Sequence, residues 1–171
     1  GAMRFDGSRW ENFTAQTCGI GPGHVWDIAV DWAGCLWFGT AGGGLSRYDG
    51  SAWKTFTKAG GLTGDHVYAV KEDLQGRIWC GCAPKPDTLV QEGGVSVFDG
   101  EHFENFTSDR VQGHHIGGGN SGLCDNRVYS IVFDAQGRTW FGTKGGGICR
   151  YDGNNWMTFD KTTGLPVNEV G

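Results

Sequence analysis

The chain is short of basic charge, proline and long apolar runs, and each shortage excludes something. Fourteen Lys and Arg residues, scattered along the chain, stand against 19 Asp and Glu and leave a net charge of −5. That balance, with a pI near 5.4, provides no basic footprint for nucleic acid. No apolar run approaches the ~20 residues of a membrane span, and no signal-like segment precedes Met3. Gly1 and Ala2 look like a tag remnant. Motifs that tie a nucleophile to a base are also missing: there is no Gly-x-Ser-x-Gly and no His-Glu-x-x-His. The GGG runs at 42–44 and 145–147 lead into strand-like segments and the one at 117–119 lies in an insertion, so none opens a phosphate-binding helix.

Glycine and aromatics are what the chain has in quantity. Thirty-two glycines against four prolines, with 13% aromatics, do not suit a helical protein, because each interior Gly costs a helix about 1 kcal/mol relative to Ala. The glycines sit at fixed offsets, as turn residues do. An apolar content of 38% in 171 residues is adequate for the core of one domain. The six cysteines (18, 35, 80, 82, 124 and 149) share no repeat position. In a chain too long and too aromatic to need a disulfide framework, they are expected as free, mostly buried thiols.

The fixed offsets come from an internal repeat. Asp31–Asp49, DWAGCLWFGTAGGGLSRYD, returns with substitutions over Asp73–Asp99 and almost verbatim over Asp134–Asp152. Val25, Val67, Val128 and Val170 each begin a unit, at spacings of 42, 61 and 42 residues. A period near 42 is the length of a four-stranded propeller blade, and the longer middle spacing marks an insertion. Within a unit, VWDIAVD, VYAVKED and VYSIVFD predict strand a and end in Asp-x-x-Gly turns. LWFGT, IWCGC and TWFGT are apolar almost throughout and predict strand b, covered on both faces. Strand c ends in Asp-Gly at 49–50, 99–100 and 152–153, a strong hairpin signal, and strand d follows as AWKTFT, HFENFT and NWMTFD.

A four-stranded sheet with two apolar faces cannot stand alone, and radial stacking buries both. The expected fold is therefore all-β, a β-propeller of four-stranded antiparallel blades, with blades at 25–57, 67–107 and 128–160. Residues 3–14 supply strands c and d of a split blade, and 164–171 begin strand a of the next. Trp37, Trp79 and Trp140 recur on strand b and are expected between blades.

The run N/D-x-V, then D-x-x-G-x-x-W-F-G-T and G-G-L-x-R-Y-D-G-x-x-W-x-x-F-T, resembles the two-component regulator propeller repeat over Arg4–Val170. The resemblance implies a ring of about seven blades and, for many members, an extracytoplasmic sensor region, some of which detect oligosaccharides. The similar streptogramin lyase propeller implies that the scaffold can host chemistry. Blade 2 departs from the pattern, with Cys80 and Cys82 for Phe and Thr, and Val97 for Arg47 and Arg150.

Candidate site residues follow from the asymmetries. Cys82–Glu92 between strands b and c of blade 2, and Ser108–Gly122 between blades 2 and 3, are insertions that rise from one face. They carry Lys85, Asp87, His114 and His115. His24, His66, Arg127 and Glu169 precede successive inner strands on that face and form a non-repeating polar set beside the channel. His114 and His115 with Cys124 match no strong zinc spacing, so no metal or other cofactor is expected. The leading expectation is a non-enzymatic module for a small polar ligand such as a saccharide. The alternatives are a protein-interaction propeller whose open edges are covered by a second copy, as a homodimer closing a ring of about eight blades, and a lyase-like enzyme using His24, His66 and Glu169.

Overall fold

A computed structural model of the chain describes residues 1–85, 92–108, 110–111, 114–115 and 122–170, with 110–111 and 114–115 described by their backbone alone. An N-terminal hairpin, β1 (Ala2–Phe5) and β2 (Trp10–Phe13), precedes blade 1, built of β3 (Val25–Val30), β4 (Leu36–Thr40), β5 (Leu45–Tyr48) and β6 (Trp53–Phe56). Blade 2 is β7 (His66–Glu72), β8 (Ile78–Ala83), β9 (Gly94–Phe98) and β10 (Phe103–Phe106). A small ladder, β11 (Arg110–Val111) with β12 (His114–His115), comes before blade 3, which is β13 (Val128–Phe133), β14 (Thr139–Thr143), β15 (Ile148–Tyr151) and β16 (Trp156–Phe159). Each blade is a four-stranded sheet in sequence order, antiparallel throughout. The fold is an open arc of β-propeller blades.

One aspartate organises each blade. The Asp31 carboxylate accepts the Cys35 N–H through Oδ1 and the Trp37 indole N–H through Oδ2, both at 2.8 Å. Asp73 does the same for Arg77 and Trp79, and Asp134 for Arg138 and Trp140. The a–b turn and the strand-b tryptophan are thereby fixed by one side chain, which explains why Asp and Trp recur six residues apart. Each ring is also covered by a guanidinium: Arg47 lies 5.8 Å over Trp37 and Arg150 lies 5.7 Å over Trp140. In blade 2, where Val97 replaces that arginine, Arg77 covers Trp79 at 5.4 Å.

The core lies between blades. Trp37, Leu45 and Phe56 of blade 1 meet Val67, Val70, Ile78, Cys80 and Phe98 of blade 2, while Trp79, Val95 and Val97 of blade 2 meet Val128, Ile131, Phe141 and Cys149 of blade 3. Burying one such side chain is worth about 1.5–3 kcal/mol. The glycine of strand b sets the spacing, since a Cβ at Gly39 would stand 2.7 Å from the Val67 carbonyl oxygen and one at Gly81 would stand 3.1 Å from that of Val128. Strand b therefore has to be bare where the next inner strand crosses it.

The cysteines are split. Cys35, Cys80 and Cys82 are buried free thiols and Cys18 is a partly exposed one. Cys124 and Cys149 form a disulfide, which corrects the expectation of free thiols for that pair. Cys80 and Cys82 fill the positions of Phe38 and Thr40 in blade 1; burial pushes the Cys82 thiol up to about 11 and raises Cys80 as well.

Candidate recognition site at the inner strands

Each inner strand carries the same irregularity. The pairing of strand a with strand b skips one residue, between Val25 and Asp27, between Val67 and Ala69, and between Val128 and Ser130. The skipped residues are Trp26, Tyr68 and Tyr129. A bulge re-aims its side chain, and here it collects three aromatic rings into one row. Trp26 stacks on Tyr68 with centroids 3.9 Å apart at 15°, and Tyr68 meets Tyr129 edge-on at 4.3 Å and 82°. Burial, with Tyr129 beside it, pushes the Tyr68 hydroxyl up to about 12. Trp26 keeps 37% of its surface exposed, which leaves the row open at that end.

Polar groups flank the row. His66 lies 5.7 Å from the Trp26 ring, and its buried Nδ1 has no hydrogen-bond partner among the described residues. Burial lowers the His66 pKa and Lys85 adds to this, against the carboxylates of Asp65 and Glu92. The lowered value favours the neutral imidazole. At the other end, Arg127 donates to both oxygens of buried Asp125 at 2.9 Å. That pairing raises the arginine above its ordinary value, with smaller contributions from Tyr129 and Glu169.

The residues expected from the sequence are thus only partly brought together. His66 and Lys85 influence each other electrostatically, and Arg127 and Glu169 do so one blade further on. His24 is exposed, and its carbonyl accepts the Ala41 N–H at 2.8 Å. Glu169 is exposed and its backbone bridges to Lys144. His114 and His115 pair through their backbones with Val111 and Arg110. Asp87 lies outside the described residues. Cys124 is held in the disulfide, so its thiolate is not available to a metal.

The insertion between blades 2 and 3 is closed at its base. Ser108 N–H donates to Asn126 Oδ1 at 2.6 Å and Asn126 Nδ2 donates back to the Ser108 carbonyl at 3.1 Å, while Cys124–Cys149 ties the same segment to strand c of blade 3. A crevice of about 270 Å³ lies between blades 1 and 2, lined by Asp31, Trp37, Arg47 and Lys54. It belongs to the a–b and c–d turns, the face opposite the insertions.

Sequence reasoning overlooked the aromatic row. The signal was present as Trp, Tyr and Tyr at the second position of strand a, in register with the repeat. Period-two alternation assigns that position to a blade face, and only the bulge turns it into the channel.

The fold and part of the repeat have counterparts among known proteins. Residues 122–145, which hold strands a and b of blade 3, match the family model described as "Two component regulator propeller". The match covers one copy of that repeat, in blade 3. No curated protein matches it. Among solved structures, the propeller arc resembles the extracellular domain described as that of a one component system from B. thetaiotaomicron, at 19% identity, 79% of this chain, 18% of that one and a TM-score of 0.56. It also resembles PorZ, a surface component of the type-IX secretion system of Porphyromonas gingivalis, at 19% identity, 91% of this chain, 22% of that one and a TM-score of 0.57. Streptogramin B lyase aligns at 14% identity over 95% of this chain and 48% of its own, with a TM-score of 0.59. At such identities the likeness is one of fold. The chain spans about a fifth of the length of the first two structures and about half of the third.

Proposed function

We propose that this chain is an extracytoplasmic, sensor-type recognition module that takes a small neutral polar ligand, a saccharide, at the channel end of its inner strands. The observation that carries the reading is the row Trp26–Tyr68–Tyr129, open at Trp26 and flanked by the His66 ring. A sugar presents an apolar C–H face to an aromatic ring and hydroxyls at its rim, which suits a stacking surface with a neutral hydrogen-bonding group next to it. An anion is a poorer fit, because Asp125 already engages Arg127 and the chain is acidic overall. The disulfide and the extracellular domain among the structural neighbours support an oxidising compartment.

The test is a panel of neutral oligosaccharides titrated against the chain, read by tryptophan fluorescence and calorimetry. A binder identified in this way should lose about two- to tenfold in affinity with Trp26→Ala, as removal of one stacking ring costs about 0.5–1.5 kcal/mol beyond area. His66→Ala should weaken it as well. Unchanged binding in both variants would place the site elsewhere.

A further inference from the structure

The crevice between blades 1 and 2 carries a charge pattern that the other blades do not repeat. Arg47 on β5 stands directly opposite Lys54 on β6, so the two side chains leave the same face of the sheet. Like charges placed directly opposite each other destabilise an antiparallel pair. The same register position holds Val97 with Glu104 in blade 2 and Arg150 with Met157 in blade 3, so only blade 1 sets cation against cation. Among the described residues, neither Arg47 nor Lys54 makes an ion pair. Asp49 senses the Arg47 charge, but its carboxylate is bonded within its own turn.

Uncharged groups hold the two cations in place. Arg47 Nη2 donates to Cys35 Sγ at 2.9 Å with the guanidinium over the Trp37 ring, and Lys54 Nζ lies 4.8 Å from the centre of the Phe56 ring. The bond to sulfur takes one of the five guanidinium N–H donors. Cys35 also makes the room. Four residues after the organising aspartate, blades 2 and 3 place Arg77 and Arg138, whose Nε donates back to that aspartate. Blade 1 has the short thiol there instead, and the crevice measures about 270 Å³ against about 70 Å³ at the same place between blades 2 and 3. Trp37, Phe56, Ile78 and Phe98 give it apolar walls. Asp31 lines it as well, with its oxygens bonded to the Cys35 N–H and the Trp37 indole. Two cations against that one carboxylate leave the lining a single positive charge in excess.

We infer that this crevice is a second ligand site, on the face opposite the aromatic row, and that it takes a small monocarboxylate. The Arg47 fork matches the two oxygens of a carboxylate, Lys54 adds the second cation, and the apolar walls cover the body of the molecule. A phosphate or sulfate dianion fits less well, because Asp31 repels its second charge. A neutral molecule leaves the opposed cations unmatched.

Benzoate titrated into the 171-residue chain tests the inference, read by calorimetry and by the NMR signal of the Trp37 indole N–H. Benzamide serves as the neutral isostere and inorganic phosphate as the alternative anion. Benzoate should bind with a millimolar dissociation constant, as suits a molecule of its size, and more weakly as salt is added. It should also shift the Trp37 signal. Arg47→Gln should weaken binding about tenfold or more, as a hydrogen bond to a charged group is lost. Lys54→Gln should weaken it about two- to fivefold, as an exposed charge pair does; Lys54 is exposed, so this variant keeps the fold even where Arg47→Gln disturbs Trp37. Arg150→Gln, at the same strand position in blade 3, should leave binding unchanged. The site is overturned if millimolar benzoate does not bind, if Arg47→Gln and Lys54→Gln both bind it as before, or if benzamide binds equally well. Phosphate binding more tightly than benzoate overturns the monocarboxylate assignment.

Discussion

Cys124 is bonded to Cys149 at the place where the first two blades make a hydrogen bond. The Gly21 N–H reaches the Ser46 hydroxyl at 2.8 Å and the Thr63 N–H reaches that of Ser96 at 2.9 Å. Blade 3 keeps that tie, with the Cys124 N–H on Cys149 Sγ at 2.9 Å, and adds a covalent bond to it directly after the long insertion. The bond closes a separation of 25 residues, for which loop-closure entropy gives about 3 kcal/mol. Reduction should lower the stability measured by denaturant titration by about that amount. Cys124→Thr with Cys149→Ser rebuilds the blade 2 arrangement and should lose stability without losing the fold.

Gly39→Ala should destabilise the protein by about 1–3 kcal/mol, the usual cost of overpacking, because its Cβ meets the Val67 backbone. Gly50→Ala offers a contrast. Nothing lies within 4 Å of a Cβ there, and the cost comes only from a φ of 97°. Denaturant unfolding of the two variants, with retained or altered m-values, separates a blade-junction effect from a local one.

Truncating the repeated tryptophan should not cost the same everywhere. Trp79→Ala removes a ring enclosed by two blades and should cost about 3–5 kcal/mol. Trp140→Ala, on the open side of blade 3, should cost clearly less. If both cost the same in dilute solution, the open side is covered there.

Acid should unfold the chain through its hairpin turns. Asp6, Asp49, Asp99 and Asp152 each accept two backbone N–H groups across a c–d turn. Those bonds hold all four below the model-peptide value of 3.8, Asp49 at about 2. A depressed carboxylate contributes stability above its unfolded value and loses it as pH falls towards the folded one. Stability should therefore fall from about pH 4 downwards, and Asp49→Asn should reduce the slope. His66 works in a different window. Its folded value lies below 6.5, so the unfolded chain binds the proton first and stability declines as pH drops through that value. His66→Gln should remove this component, and NMR titration of the imidazole checks the direction.

The blades were legible because their determinants are local. Asp31, Trp37 and Asp49 each act within their own turn or hairpin, so recurrence in the sequence is recurrence in space. The faces on which Cys80 and Cys82 sit could also be read, since strand b is regular. What could not be read depends on departures from regularity. The aromatic row arises from a bulge at Trp26, Tyr68 and Tyr129 that period-two reasoning misses by one residue. The engagement of Arg127 by Asp125 is a two-residue contact with no repeat counterpart, so the sequence showed Arg127 only as one of a polar set. The disulfide joins residues that occupy different places in the repeat, and no spacing rule pairs them.

The closed base of the Ser108–Asn126 connection has a consequence for how such a chain diversifies. With the Asn126 side chain bonded to both backbone groups of Ser108, and Cys124 locked to blade 3, the scaffold meets whatever lies between at a fixed doorway. The position works as a graft port, and a foreign peptide spliced between Ser108 and Gly122, whose closeness to Trp156 leaves no room for a side chain, should be displayed while the propeller arc keeps its melting temperature.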